Sequence, residues 1–154
     1  MRQMKRTLVR LAVVVGAAAP FPGSAQQPQQ LPTMPLSAGI HLIQAEVANT
    51  FDTRMVGLMH RKKLGASSGM LFVFPDLARH CMWMKNTYVP LSVAFIDERG
   101  VILNIADMRP LNEESHCATG PARFALEMNQ GWFAAKGIKA GAKISGIEKA
   151  PPPR

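Results

Sequence analysis

The chain has 154 residues, 18 Lys and Arg against 10 Asp and Glu, a formal charge of +8 and 47% hydrophobic residues. Four of the basic side chains (Arg2, Lys5, Arg6 and Arg10) lie at the extreme N-terminus, and the later run Arg61-Lys62-Lys63 has no aromatic neighbours on which bases would stack. The charge therefore describes no nucleic-acid-binding face, and the later run reads as a solvated loop.

The opening stretch, MRQMKRTLVRLAVVVGAAAPFPGSAQQ, combines a basic start, a short apolar run and small residues at Gly23 and Ala25. That is the layout of a secretory signal peptide, residues 1–25, cleaved after Ala25. The run from Leu8 to Ala19 contains Arg10 and is too short to cross ~30 Å of hydrocarbon, so no stable membrane anchor is expected once it is removed. No cysteine near the cleavage point offers a lipid attachment site, and no Arg-Arg pair marks a twin-arginine signal. The mature protein is expected in the periplasm or outside the cell, as a monomer.

Residues 26–38, rich in Gln and Pro and without an apolar period, read as a disordered leader. One globular domain is expected over 39–148, followed by an extended Pro-rich tail at 149–154. Within the domain, IHLIQAEVAN alternates as a strand does. TFDTRMVGLMHRK changes period: Phe51, Met55, Leu58 and Met59 share one helix face, with Thr50 as N-cap. GMLFVFP is a continuous apolar run ended by Pro75, as in a buried strand. CMWMK, PLSVAFIDERG, VILNIADM and RFALEM supply four more strands, with a hairpin turn at Glu98-Arg99-Gly100. NQGWFAAKG forms a short second helix stopped by Gly137, and AKISGIE a closing strand. These elements predict a β-rich α+β fold: a curved, mostly antiparallel sheet or small barrel with two short helices.

At this level of detail the chain resembles a known family. Phe51, Arg54, GLM at 57–59, Arg61, GMLFVF at 69–74, WMKNT at 83–87, PL at 90–91, FID at 95–97, LE at 126–127 and the glycines Gly131, Gly137 and Gly141 match in order the family called domain of unknown function 192. The resemblance covers nearly the whole folded domain and implies a compact β-rich fold without a settled activity. Two positions depart from it. Met82 stands where the family usually has Phe, and Ser92 where it usually has Asp, which puts in doubt any role needing a carboxylate there. The resemblance also marks the Cys81 and Cys117 pair as a feature of exported members.

The chemistry-bearing residues allow several readings. His80, Cys81, His116 and Cys117 have the composition of a zinc site, but adjacent residues of a strand point to opposite faces, so the spacing argues against it. Met82 and Met84 share a strand face that would suit Cu(I), yet methionines scattered through apolar stretches mostly fill cores. No cofactor is expected. Two cysteines in an oxidising compartment, without a CxxC motif, favour a structural Cys81–Cys117 bridge over a catalytic thiol. Closing a loop of some 36 residues, it would stabilise by roughly 3 to 4 kcal/mol. No Ser-His-Asp logic surrounds the serines. Arg54, Trp83, Lys85, Asn86 and Glu127 are the candidate ligand-binding residues: Glu127 interrupts an otherwise apolar strand, and Trp83, Lys85 and Asn86 lie where another strand runs into a loop. They either line a cleft for a small anionic or sugar ligand or form a structural ion pair, Glu127 with Arg54 or Lys85; the sequence leaves both open. The expected function is that of a small-ligand-binding or accessory protein of the cell envelope rather than an enzyme, with an envelope enzyme or a Cu(I)- or Zn-handling protein as the alternative.

Overall fold

A computed structural model describes residues 27–154; the expected signal peptide lies outside the described residues. Nine strands, β1 (Thr33–Ala38), β2 (His41–Ala48), β3 (Ser68–Ala78), β4 (Cys81–Met82), β5 (Leu91–Ile96), β6 (Ile102–Met108), β7 (His116–Cys117), β8 (Ala122–Asn129) and β9 (Ile144–Ser145), accompany two short helices, α1 (Phe51–Val56) and α2 (Trp132–Ala135). Seven strands form one sheet in the order β6-β5-β8-β3-β2-β1-β9, and β4 pairs with β7 in a small second sheet. Only the β2–β3 pairing is parallel. The expected β-rich α+β fold with a curved, mostly antiparallel sheet and two short helices is what the chain adopts.

The sheet curls until its two ends meet at one side. Ile144 N–H donates to the Gly100 carbonyl at 2.8 Å, Ile102 N–H to Ala142 at 2.9 Å and Gly141 N–H to Ile102 at 2.8 Å. Gly100 takes a left-handed φ of 84° at the end of the hairpin turn, where an added Cβ would lie 2.9 Å from the Ile144 carbonyl. The result is a half-barrel, closed by those bonds and open beyond them.

Strand alternation sorts the apolar side chains into two cores. Residues from both ends of the sheet (Ile102, Leu36 and Ile144) share one cluster with Leu71, Val73, Phe124, Leu126 and Phe133, which marks the inner face of the curl. Met70, Phe72, Phe74, Leu91, Val93, Phe95 and Ala125 form the opposite, outer cluster, covered by Leu58, Met84 and Val89.

Four expectations are corrected. Residues 33–38 are not disordered leader but strand β1, paired with β2 along its whole length; even Gln29 is fixed, its amide donating to the Thr53 and Gly57 carbonyls at 2.9 and 2.8 Å. Pro35 is tolerated because β9 pairs only with Ser37 and Ala38, leaving β1 an edge strand at the proline. Secondly, CMWMK is a strand only at Cys81–Met82. Beyond it Thr87 N–H turns back to the Met84 carbonyl at 3.1 Å and Asn86 takes φ 53°, so Lys85 and Asn86 lie on a turn and Trp83 in the irregular stretch leading into it.

Thirdly, the helix is capped as expected by Thr50, in a reciprocal box with Thr53, but ends at Gly57. Its apolar face is not core: Phe51 is 67% and Met55 50% exposed. Finally, Arg61 is not a solvated loop residue. Its guanidinium grips Glu46 at 2.6 and 2.7 Å and the Gln29 carbonyl at 2.6 Å, both charged side chains being largely buried.

Candidate functional site

Glu127 is placed by alternation in β8. Phe124, Leu126 and Met128 turn into the inner core, so Ala125 and Glu127 face the outer side. Across the sheet Glu127 sits between Met70 of β3 and Val93 of β5, neither of which offers a polar atom on its side chain. The residue is 3% exposed, and burial pushes its carboxyl up to about 8. Among the described residues the ion pairs are Arg61–Glu46 and Arg99–Asp97, with His80 Nε2 3.7 Å from the Asp76 carboxylate, so Glu127 is paired with neither Arg54 nor Lys85. The ion-pair reading of Glu127 is thereby overturned: Arg54 Nη1 donates instead to the Val73 carbonyl at 3.0 Å.

The Glu127 carboxyl lies in the wall of a pocket of about 210 Å³ between α1 and the start of the β4 turn. Phe51, Arg54, Met55 and Met59 contribute from the helix side, Phe72 and Phe74 from β3, and Cys81, Met82, Trp83 and Thr87 from the β4 side. A second depression of about 330 Å³ adjoins it, lined by His60, Lys85 and Asn86; Met55, Val56, Met59 and Trp83 border both. The five candidate residues thus divide. Arg54, Trp83 and Glu127 share the first pocket, Lys85 and Asn86 the second, and the Trp83 ring separates them with Lys85 Nζ 5.2 Å above its centroid.

The cysteines form a disulfide between β4 and β7 at directly paired positions, with Cα atoms 4.0 Å apart. The bridge fastens a sheet of only two residue pairs, and Met82 and Trp83 follow Cys81 directly into the pocket wall. His80 is stacked on Phe74 with ring centroids 3.7 Å apart, and its Nε2 lies 3.1 Å from the Asp76 carbonyl oxygen. Met84, the other candidate for a soft-metal face, is core at 1% exposure.

Sequence reasoning missed the apolar wall. Phe51 and Met55 carried the signal, since an i, i+4 apolar pair flanking Arg54 is what a helix lying over a polar-floored pocket needs, but the same pattern fits core. Ser92 was singled out for lacking a carboxylate. Its hydroxyl donates to the Asp107 carboxylate on the paired strand β6 and accepts from Gly131 N–H at 2.8 Å, so a carboxylate does stand at that position, supplied from across the ladder.

A curled, mostly antiparallel half-barrel with two short helices and a pocket on its outer face defines a small β-rich α+β domain. Residues 34–146 match the family described as Uncharacterized ACR, domain of unknown function 192, and the chain belongs to that family. It is similar to a protein of unknown function from Novosphingobium aromaticivorans DSM 12444, at 33% identity and a TM-score of 0.72, over 85% of this chain and 94% of that one. A candidate transcription regulator from Sinorhizobium meliloti 1021 is similar at 31% identity and a TM-score of 0.69, over 74% of this chain and 92% of that one. No curated protein matches the chain.

Proposed function

We propose that the chain is an exported binding or accessory protein of the cell envelope whose outer-face pocket holds a small, hydroxyl-rich solute of the sugar class. The observation that carries this reading is Glu127: a carboxyl 3% exposed, without an ion-pair partner, opening into a pocket. Buried carboxyls are ordinarily paired within the fold, and one without a cation in a pocket wall is a feature a ligand explains. Trp83, 40% exposed, adds a flat face on which a sugar ring stacks, and the Arg54 guanidinium has N–H donors beyond the one given to Val73. An anionic substituent on such a ligand would belong beside Lys85 and Asn86, away from the carboxyl wall.

Binding is favoured over hydrolysis by the same geometry. Glycoside cleavage ordinarily uses two carboxyl groups across the scissile bond, and Glu127 is the carboxyl side chain in this pocket. The export part of the reading is supported by the signal-peptide layout of residues 1–25 together with the Cys81–Cys117 bridge.

Tryptophan fluorescence tests the site, because Trp83 is exposed and Trp132 is buried. Titration with monosaccharides should shift the emission and raise the melting temperature of the parent protein. Trp83→Ala should remove both responses while leaving the fold intact. Responses that persist in Trp83→Ala would place the ligand elsewhere and overturn the reading.

A further inference from the structure

We infer that the solute enters with a protonated amino group that docks on the Glu127 carboxyl, so that the ligand class is an amino sugar. The inference rests on the binding role proposed for this pocket and names the chemistry of its occupant.

Three observations carry it. Another carboxylate of the same sheet shows how this fold treats a structural acid. Glu46 receives a two-pronged Arg61 and the Leu31 N–H at 2.8 Å, whereas Glu127 receives neither a cation nor a side-chain donor from the strands beside it. What the fold withholds from Glu127 is a cation that would hold it ionised, and a pocket leads to it. The second observation is the wall: Phe51, Phe72, Phe74 and Trp83 line the same pocket as the carboxyl, and an aromatic ring face attracts an ammonium and gains nothing from an anion. Thirdly, the Trp83 face already attracts a cation, with Lys85 Nζ 5.2 Å from its centroid.

The charged groups facing Glu127 are few. From α1, Arg54 lines the pocket, with one guanidinium N–H spent on the Val73 carbonyl. The strand neighbours Met70 and Val93 are apolar, Cys81 is disulfide-bonded, and Trp83 and Thr87 carry no charge. Lys85 and His60 belong to the adjoining depression.

The consequence is a proton balance. In the free protein at pH 6.5 Glu127 is protonated, because burial holds its carboxyl at about 8. Docking of an ammonium group converts the neutral acid to a carboxylate, and the proton passes to the buffer. Each ligand bound therefore releases about one proton, and affinity rises about tenfold between pH 5.5 and 6.5.

Calorimetric titration at pH 6.5, in two buffers of different ionisation enthalpy, tests this with glucosamine, glucose and N-acetylglucosamine as probes. Glucosamine should bind with release of about one proton, and the two uncharged sugars at least about 30-fold more weakly. Glu127→Gln, verified as folded by its melting curve, should abolish the proton release and cost glucosamine a similar factor. Glucose binding as tightly as glucosamine, without proton release, would end the amine inference and leave the binding reading standing. Failure of all three sugars to bind the parent protein would end both.

Discussion

Glu46 and Glu127 are both held by the seven-stranded sheet, on strands separated only by β3, and they have opposite fates. Glu46 is a partly buried carboxylate met by the Arg61 guanidinium and the Leu31 amide. Glu127 is more deeply buried and, among the described residues, met by no cation. A chain able to bring Arg61 onto Glu46 from 15 residues away is not short of means to satisfy an acid. The difference teaches that the isolation of Glu127 is tied to the pocket it lines, whereas Glu46 serves to tie the segment after α1, and the residues around Gln29, to the sheet.

The largest expected effect would break or uphold that contrast directly. A carboxyl whose folded pKa is raised favours folding while it is protonated, so its contribution is present below the ordinary value near 4.5 and is lost as pH rises toward about 8. Glu127→Gln, close in shape to the neutral acid, removes this loss. Relative to the parent, the variant should gain about 1.4 kcal/mol per pH unit between pH 5 and 8, at most about 5 kcal/mol in all. Urea unfolding of both proteins across that range measures it, and parallel pH profiles would mean that Glu127 is as well partnered as Glu46.

Arg61→Met should act the other way at neutral pH. It leaves the largely buried Glu46 carboxylate with only the Leu31 amide, a loss of about 3 kcal/mol in unfolding free energy. The double variant with Glu46→Gln should recover much of that loss, because the uncompensated charge goes with it. An Arg61→Met protein as stable as the parent would reduce the Glu46 pair to a surface contact and blunt the comparison.

How much of this was legible in the sequence depends on the range of the interactions. Local signals survived: the Thr50 cap, the alternation that gave β2, the apolar segments read as β5, β6 and β8, and the stop at Gly137. Strand β1 escaped notice because its six residues, TMPLSA, gain strand character from pairing with β2 rather than from their own pattern. Phe51 and Met55 carried a correct helical period whose destination, pocket rim rather than core, is set by what packs opposite. The site followed the same rule. Glu127 stood out as a break in an apolar strand, but whether Arg54 or Lys85 pairs with it or both line a cleft was left open, since that depends on the three-dimensional path of the chain.

The smallest expected effect sharpens the contrast from the other side of the pocket. Lys85 is a cation beside Trp83, a residue that borders the Glu127 pocket, and its ammonium lies over the Trp83 ring and lines the neighbouring depression. Its side chain is exposed, and an exposed cation over an indole contributes about 0.5 kcal/mol. Lys85→Met should therefore lower unfolding free energy by no more than about 0.5 kcal/mol, because the methionine side chain still covers part of the ring. The pH dependence attributed to Glu127 should be unchanged, since that dependence arises from burial and not from a charge at position 85. A loss nearer 3 kcal/mol, together with an altered pH slope, would identify Lys85 as the structural partner of Glu127 and make the two glutamates alike.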